Sequence, residues 1–460
     1  MNGGPTPDWD GLPVVVAGAG VSGAAAARVL RDLGASVTVA DASEERAEPL
    51  RAEGLVVTDL GEPPPGTALL VTSPGWRPSS PLLVAAAAVG IDVWGEVELA
   101  WRLRGPSAAP WLSLTGTNGK TTAVRMLTSV LEAAGLRAVA AGNVGLPLLD
   151  AVLAPEPYDV LAVELSSFQL HWSRTLRPAA AAVLNLADDH TDWHGSFEEY
   201  ARAKARIWTG GTSIGNADDA VTRSLLADAP GRRVGFTLQA PRVDEVGVVE
   251  DLLVDRAFPD VAGEATALAG LADVPVPGDH NVANALAAAA LARAHGVPAD
   301  AVRDGLRAFR PDPHRNALVG EVDGVSWVDD SKATNPHAAA ASLAAYERVV
   351  WVAGGLLKGA DVDDLVRVAS PRLRAAVLLG TDRAVLAAAL ARHAPDLPVV
   401  EVPRLDTEAM SDAVSHARAL AQPGDTVLLA PAAASMDCFR DYRERGELFA
   451  AAVAALGSGS

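Results

Sequence analysis

The chain has almost no cysteine, few aromatic residues and no excess of positive charge. Cys438 is the only cysteine in 460 residues, so no internal disulfide can form and the reducing cytoplasm is the expected location. The net charge of −19 argues against a general nucleic-acid-binding protein, because such proteins normally carry a basic face. The longest apolar stretches, such as residues 285–292, are too short to cross a bilayer. No signal peptide is expected, and small anions remain possible ligands.

Lysine is scarce although basic residues are not. Of the 38 basic residues only Lys120, Lys204, Lys332 and Lys358 are lysines, and the rest are arginines. Arginine stays charged and has a planar head group, so a retained lysine indicates a position where a compact or neutral amine is needed. Three of these lysines lie in motif loops that follow strands. The fourth, Lys204, follows a cluster of residues that are able to bind metal ions or phosphate. This distribution argues against the alternative that all four lysines lie on the surface by chance.

Predicted strands alternate with predicted helices along the whole chain. This alternation predicts an α/β fold with parallel sheets and crossover helices. The length suggests about three domains. Clusters of Gly and Pro indicate where one domain ends and the next begins. The predicted domains are residues 1–106, 107–311 and 312–460.

The first domain contains a glycine motif in a strand–loop–helix setting. A predicted strand over residues 12–17 is followed by GAGVSG (18–23), a helix, and a second strand over 36–40 that ends at Asp41. This is the fingerprint of a Rossmann-type nucleotide site. Taken alone, it is also compatible with an NAD-dependent oxidoreductase.

The second domain opens with a strand that runs into TGTNGKTT (115–122). Glycines let backbone N–H groups close around phosphate oxygens, and the following helix adds a favourable dipole. Lys120 is expected to neutralise β- and γ-phosphate charge, and Thr121 to offer a hydroxyl group to Mg²⁺. Leu114 stands where the usual pattern has its first glycine, so the loop is a shorter variant.

Residues suited to magnesium follow two later strands. Glu164 ends a strand at 160–163, and NLADDHTDWH (185–194) follows the next one. Ligands of α/β proteins bind outside the carboxyl ends of strands, so we interpret both as ligand-binding segments, although solvated surface acids remain the alternative. An amine near Mg²⁺ can react with CO₂ to give an anionic carbamate. Lys204 is a candidate for this reaction, and a plain surface lysine is the alternative.

For two further motifs the sequence leaves both a ligand-binding role and a structural role open. Asn281 and Asn284 in DHNVAN (279–284) share one helical face and either bind a base edge or cap the helix. Arg315 in PHR (313–315) is either a phosphate clamp or part of a salt bridge. Lys332 and Lys358 lie in loops after strands of the third domain.

Together these motifs resemble the Mur ligases, ATP-dependent amide ligases of peptidoglycan precursor synthesis. The combination of ELSSFQL and DSKATN favours the branch of the family that adds D-glutamate. The motifs that carry the resemblance are TGTNGKTT (115–122), ELSSFQL (164–170), NLADDHTDWH (185–194), DHNVAN (279–284), PHR (313–315), DSKATN (330–335), GGLLKG (354–359) and PAAASMDCF (431–439).

The resemblance implies a Rossmann-like UDP-binding domain, a central P-loop ATPase-type domain and a C-terminal Rossmann-like domain. It also implies roles for individual residues. The implied catalytic residues are Lys120, His190 and Lys204. The implied ATP-binding residues are Gly116, Thr117, Asn118, Gly119, Lys120, Thr121, Thr122, Asn281, Asn284, Arg315 and Asp330. The implied ligands of two Mg²⁺ ions are Thr121, Glu164, His190 and Lys204 as its carbamate. The UDP-substrate would contact Val21, Ser22, Asp41, Ser73, Gly75, Asn143 and His190. The amino acid would contact Lys332, Thr334, Lys358, Ser435 and Tyr442.

The implied activity is the joining of D-glutamate to UDP-N-acetylmuramoyl-L-alanine through an acyl phosphate, by a cytoplasmic monomer. The third domain would close over ATP. A relative that adds L-glutamate or another amino acid, or that extends folate, is one alternative. An NAD-dependent oxidoreductase is a second, and it leaves the lysine loop unexplained. A non-catalytic nucleotide-binding module is a third, which measurable turnover would exclude.

Overall fold

The computed structural model describes residues 7–105, 107–261, 263–311 and 313–457. The predicted boundaries at Pro106 and Asp312 and the side chain of Asp192 lie outside the described residues. The chain forms two compact units. One comprises the chain up to Val274 with Ala283–Phe309, and the other comprises Pro275–Val282 and the chain from Arg310 onward. The three-way division of the chain stays a prediction.

The first sheet is entirely parallel, with the strand order β3-β2-β1-β4-β5. The chain leaves the central strand toward opposite edges, so a crevice forms between the carboxyl ends of β1 and β4. The strands are β1 (Pro13–Ala17), β2 (Ser36–Ala40), β3 (Val56–Thr58), β4 (Leu69–Thr72) and β5 (Asp92–Gly95). The helices are α1 (Val21–Asp32), α2 (Glu44–Ala52), α3 (Pro81–Ala88) and α4 (Glu96–Leu103).

The second sheet places β6 between β9 and β8, in the order β14-β13-β12-β11-β10-β9-β6-β8-β7. The pairs from β7 to β12 are parallel, whereas β13 and β14 pair antiparallel, an addition to the predicted parallel arrangement. Its strands are β6 (Trp111–Thr115), β7 (Ala138–Gly142), β8 (Val160–Glu164), β9 (Ala180–Val183), β10 (Thr212–Asn216), β11 (Arg232–Phe236), β12 (Glu245–Val249), β13 (Leu252–Asp255) and β14 (Thr266–Gly270). The helices of this segment are α5 (Lys120–Ala133), α6 (Leu148–Val152), α7 (Ser167–His171), α8 (Thr191–His194), α9 (Phe197–Ala205), α10 (Ala220–Ala227), α11 (Asp279–Ala294) and α12 (Ala299–Ala308).

The third sheet has the order β15-β16-β20-β17-β18-β19 and is parallel except at the β15–β16 pair. Loops after β16, β20 and β17 therefore emerge side by side. The strands are β15 (Ala317–Val322), β16 (Val325–Asp329), β17 (Val349–Gly354), β18 (Leu373–Leu379), β19 (Val399–Glu401) and β20 (Thr426–Leu429). The helices are α13 (Pro336–Ala344), α14 (Asp363–Ala369), α15 (Arg383–His393), α16 (Ala409–Leu420) and α17 (Tyr442–Gly457). The predicted α/β class is confirmed.

The first two sheets share one hydrophobic cluster. Trp101 from α4 and Trp111 from β6 are buried and meet edge to face with ring centroids 5.0 Å apart. Such aromatic pairs add to the free energy of burial through their complementary charge distributions. Over the described ranges, no helix is long and apolar enough to cross a membrane.

Candidate active site

Asp41 lies at the crevice of the first sheet and holds the glycine loop. Its carboxylate accepts the backbone N–H of Ala19 at 2.7 Å and that of Ser43 at 2.8 Å, and it pairs with Arg46 at 2.9 Å. Burial raises the pKa of this carboxyl group, but the hydrogen bonds from Arg46 and the two N–H groups outweigh burial and lower the pKa to about 2. Asp41 is therefore a fixed anion at the end of β2.

The loop after β4 closes on the glycine motif. A Cβ atom at Gly18 would lie 2.8 Å from Ser73 Oγ, and one at Gly23 would lie 1.8 Å from the carbonyl oxygen of Gly18. Glycine is therefore required at both positions. Within the described residues the buried Ser73 hydroxyl has no hydrogen-bond partner, which fits a group that is completed by a ligand. Val21, the first residue of α1, is 78% exposed.

Glu96 is a buried carboxylate that the sequence analysis missed. It accepts hydrogen bonds from the Ser22 hydroxyl group and from the backbone N–H groups of Leu148, at 3.0 Å, and Leu149. Burial raises its pKa, and these hydrogen bonds oppose the rise. Glu96 thereby joins the glycine loop to the segment that follows Asn143. The sequence signal is weak, because an acidic residue in the first turn of a helix is usually read as a solvated one.

The second glycine loop connects β6 to α5 in the geometry of a phosphate site. Gly119 caps α5 with φ of 81°, and a Cβ atom there would lie 2.3 Å from Asn284 Oδ1. Lys120 Nζ donates to the carbonyl oxygens of Gly116 at 2.9 Å and Thr117 at 2.8 Å. The lysine thus folds over its own loop, within reach of an anion that binds the N-terminus of α5. Thr122 lies in the first turn of that helix.

Two residues that follow β9 contact the phosphate loop: Asn185 opens the predicted ligand-binding segment 185–194, whereas Tyr200 of α9 was not predicted. Asn185 accepts the N–H of Asn118 at 2.8 Å and donates to its carbonyl oxygen at 3.1 Å. The Tyr200 hydroxyl lies 3.0 Å from Thr117 Oγ1. Neither bond is local in sequence, so no pattern of short spacing could have revealed it.

Glu164, at the end of β8, is held by two residues of the predicted site. Thr121 Oγ1 donates to one of its carboxylate oxygens at 3.0 Å and Asn143 Nδ2 to the other at 2.9 Å. Carboxylate and hydroxyl oxygens are the ligands that Mg²⁺ prefers, so this pair fits magnesium. Among the described residues no group of three or more His, Cys, Asp or Glu side chains is placed to hold a metal ion. Thr121 and Glu164 therefore offer part of a magnesium ligand set and not a complete one.

Lys204 is buried, with 2% of its surface exposed, although the helix pattern also allowed a surface position. Its Nζ donates to the Gly116 carbonyl at 2.8 Å and to Thr115 Oγ1 at 3.3 Å, and lies 4.8 Å from the ring centre of Tyr200. Burial, together with the charge of Lys120, lowers the pKa of Lys204 well below its ordinary value. The geometry therefore favours a neutral, nucleophilic amine.

His190 has a left-handed backbone, with φ of 53°, immediately before α8. Its ring centre lies 4.8 Å from that of Phe168, and its Nε2 lies 3.4 Å from Asp189 Oδ2. The two rings come from NLADDHTDWH and ELSSFQL, so the structure brings these motifs together.

Both asparagines of DHNVAN are buried. Asn284 packs against Gly119, as described above. Asn281 donates to the carbonyl oxygen of Pro277 at 2.8 Å.

In the second unit, Asp330 follows β16 and is partly buried. One of its oxygens accepts the backbone N–H of Asn316 at 3.2 Å, and the other accepts the hydroxyl group of Ser342. Burial raises the pKa of Asp330 to about 6, although Ser342, the charge of Arg315 and the Asn316 N–H act in the opposite direction. The structure thus brings Arg315 and Asp330 together. Ser342 was not predicted, because it lies within an alanine-rich helix.

The loop DSKATN and the start of α17 lie against each other. Lys332 Nζ lies 3.7 Å from the ring centre of Tyr442, and Ser331 Oγ donates to the carbonyl oxygen of Tyr442 at 2.7 Å. Thr334 N–H donates to the Lys332 carbonyl at 2.8 Å, which makes the loop compact. Lys332 and Tyr442 are thus neighbours, as the predicted amino-acid site requires.

The other two loops of this edge pair through their backbones. Leu356 and Ala434 exchange hydrogen bonds of 2.8 and 2.9 Å. The pairing joins the loop that carries Lys358 to the loop that carries Ser435. Lys358 has a left-handed backbone with φ of 55°.

Arg445 on α17 is fully buried and links these loops, although the sequence analysis did not single it out. It donates to Ser331 Oγ at 2.9 Å and to the carbonyl oxygens of Ser331 at 2.7 Å and Ala433 at 3.1 Å. Burial lowers its pKa to about 10. Its surroundings in sequence, YRERGE, look like a solvated helix face, which conceals this role.

Comparisons with known proteins agree with the motifs. The family model described as Mur ligase middle domain matches residues 114–292, and the one described as Mur ligase, glutamate ligase domain matches residues 314–433. Residues 6–60 match the C-terminal domain of the alanine dehydrogenase/PNT family.

Full-length relatives match along nearly the whole chain. The UDP-N-acetylmuramoylalanine–D-glutamate ligase of Streptomyces avermitilis is 59% identical over 465 residues, covering 98% of this chain and 100% of the relative. The protein of that name from Thermobifida fusca is 60% identical over 461 residues, covering 97% and 99%. Among solved structures, a pseudomurein peptide ligase type C from Methanothermus fervidus has a TM-score of 0.61 at 18% identity, covering 97% of this chain and 100% of that one. At that identity the match supports the fold alone.

Proposed function

The chain belongs to the Mur ligase family, and from this premise we propose that it joins D-glutamate to UDP-N-acetylmuramoyl-L-alanine at the expense of ATP. The observation that carries the proposal is the near-complete match to D-glutamate ligases, together with the paired lysines at the phosphate loop. Lys120 and Lys204 both donate to the carbonyl oxygen of Gly116. A cationic Lys120 at this loop suits phosphoryl transfer, in which catalysis consists mainly of positioning and charge stabilisation.

The first half of the reaction activates the alanyl carboxylate. A carboxylate oxygen attacks the γ-phosphorus of ATP, the bond to the β-phosphate oxygen breaks, and ADP leaves an acyl phosphate behind. Lys120, at the N-terminus of α5, stabilises charge on the transferred group. The uridine nucleotide would bind in the crevice of the first sheet, near Gly18, Ser73 and Asp41. Asn143 would contact the same substrate.

Magnesium fits the phosphate loop because Thr121 and Glu164 offer oxygen ligands there. The bound ion would supply neutralisation of phosphate charge. We propose two such ions, held by Thr121, Glu164, His190 and the carbamate of Lys204. In that scheme the buried neutral amine of Lys204 adds to CO₂ and loses a proton, so that a neutral side chain becomes an anionic oxygen ligand.

The second half of the reaction forms the amide. The amine of D-glutamate attacks the acyl phosphate carbonyl, a tetrahedral oxyanion forms, and phosphate departs as the nitrogen loses its proton. We propose that Lys332, Thr334, Lys358, Ser435 and Tyr442 bind the amino acid, with the lysines opposite its carboxylates. Holding acid and amine in fixed geometry supplies much of the rate. Arg315, Asp330, Asn281 and Asn284 would contact ATP.

Phosphate release is the decisive measurement. Purified protein with Mg-ATP and UDP-N-acetylmuramoyl-L-alanine is expected to release phosphate when D-glutamate is added and to remain near background with L-glutamate. Omission of the UDP-substrate is the control for uncoupled ATP hydrolysis. Release with L-glutamate alone would move the protein to another branch of the family, and release with neither would contradict the substrate assignment.

The Glu96 contact leads to a second prediction. Glu96→Gln keeps the size of the side chain but removes the charge that holds Ser22 and the Leu148 segment. A hydrogen bond to a charged group contributes on the order of 1.5–3 kcal/mol, so KM for the UDP-substrate should rise by about 10-fold or more. KM for ATP should stay unchanged, because the hydrogen bonds described for Glu96 go to Ser22, Leu148 and Leu149 and not to the phosphate loop. Steady-state kinetics with each substrate varied in turn checks this, and an equal rise in both KM values would contradict it.

The cellular setting follows from the proposed chemistry. The reaction consumes ATP, so we propose that it takes place in the cytoplasm, where the single thiol of Cys438 stays reduced. We further propose that the protein acts as a monomer.

A further inference from the structure

A hydrogen-bonded chain in the second unit ends at Asp330. Ser342 Oγ donates to Asp330 Oδ2, the N–H of Asn316 donates to Oδ1 at 3.2 Å, and the Tyr346 hydroxyl donates to Asn316 Oδ1 at 2.7 Å. Both carboxylate oxygens of Asp330 therefore accept hydrogen bonds, one from α13 and one from the residue that precedes β15. Its plane is fixed before any ligand arrives.

Ser342 is an unusual residue for its helix. α13 reads PHAAAASLA, and Ser342 lies on its buried face with Ala339 and Leu343. A serine inside a helix often donates back to a carbonyl one turn earlier. Ser342 donates instead to another element, and it is 2% exposed, so water does not satisfy the hydroxyl group. The helix itself is held in place at its start, where Asn335 caps the N–H of Ala338 at 2.8 Å.

We propose that Ser342 is a positioning residue for nucleotide binding: it orients the Asp330 carboxylate so that this group accepts hydrogen bonds from the nucleoside of ATP. The proposal rests on the proposed function, because that function assigns Asp330 to ATP. It adds a residue that acts through Asp330 and does not itself touch the ligand.

The charges around Asp330 give the proposal a pH signature. Burial raises the pKa of Asp330 to about 6 with a further contribution from the charge of Asp329, whereas Ser342, Arg315 and the N–H of Asn316 act in the opposite direction. Asp329 is itself paired with His314 at 2.6 Å, and the Tyr346 hydroxyl is turned toward Asn316. Removal of the Ser342 donor raises the pKa of Asp330 further, so more of the carboxyl group is protonated near neutral pH. A protonated carboxyl group has lost acceptor capacity.

The test measures nucleotide binding directly, by calorimetry with Mg-ADP on the full chain between pH 6.5 and 8.5. Ser342→Ala is expected to weaken binding by about 10-fold at pH 6.5, the effect of losing support for a charged acceptor. The loss should shrink at pH 8.5, where Asp330 ionises again. Ser342→Thr keeps the hydroxyl group and should restore tight binding. Ser370→Ala is the matched control, since Ser370 donates to the Val366 carbonyl one helical turn earlier.

Each outcome decides the matter. Unchanged binding at every pH in Ser342→Ala, or a loss of the same size at every pH, would overturn the proposal. If Ser342→Ala does not fold, Ser342→Cys, of similar size and with a weak donor, gives the same comparison. Wild-type protein that binds Mg-ADP but does not turn over with D-glutamate would refute the proposed function and leave the Ser342 assignment intact. Wild-type protein that fails to bind Mg-ADP would refute both.

Discussion

Replacement of Lys204 by alanine is expected to lower kcat by at least about 100-fold, the scale of losing one preorganised charge in a transition state. The expected cause is loss of the carbamate. Only a neutral amine adds to CO₂, and burial beside Lys120 lowers the pKa of Lys204 in the required direction. Lys204→Arg should be equally inactive, because arginine stays protonated. Phosphate release under saturating substrates measures both variants.

Chemical rescue separates the carbamate from a purely structural role of Lys204. Acetate can enter the space left in Lys204→Ala and supply a carboxylate, so partial recovery of turnover is expected. No recovery is expected in Lys204→Arg, where the space is filled. After incubation with ¹³C-bicarbonate, wild-type protein should show a carbamate signal that Lys204→Arg lacks. Full activity of Lys204→Ala would refute the role.

Replacement of Lys120 by alanine should reduce kcat by about 10²–10³-fold or more, because the side chain supplies charge to the phosphoryl group during transfer. Lys120 lies at the start of α5 and donates to two carbonyl oxygens of the loop, and Lys204 of α9 donates to one of them. The loss should appear in single-turnover formation of ADP as well as in steady-state phosphate release.

A conservative variant sharpens the Lys120 test. Lys120→Arg keeps the charge but spreads it over a planar group in place of a compact ammonium, so only a small part of the activity should return. Circular dichroism melting should be nearly unchanged in both variants, since Lys120 is only partly buried. An alanine variant with near-normal kcat would contradict the phosphate-binding role.

Local motifs made much of this arrangement predictable. A glycine loop between a strand and a helix has a characteristic conformation. The sequence could therefore predict that Asp41 lies beside the first loop and Lys120 on the second. Strand-end residues such as Glu164 were also placed correctly relative to the sheet, because parallel strands end at one edge. The roles of these residues toward ligands stay predictions.

Long-range contacts were not predictable in the same way. Ser342 donates to a carboxylate twelve residues away, across a loop, and Glu96 reaches Leu148 over a separation of 52 residues. Their positions follow from how helices pack on the sheets, which depends on the whole hydrophobic pattern. Arg445 illustrates the same limit, because alternating charges in its helix predict exposure while the structure buries it.

The contact between Trp101 and Trp111 spans the boundary predicted at residue 106. The segments on either side of this boundary look separable in sequence, but in the folded protein they pack against each other through these two aromatic side chains. A chimera that takes its first hundred residues from a distant relative would have to bring a matching aromatic surface, or leave a void beneath β6. Recombination at residue 106 therefore requires that the packing surfaces of the two segments fit each other, in addition to keeping the binding residues.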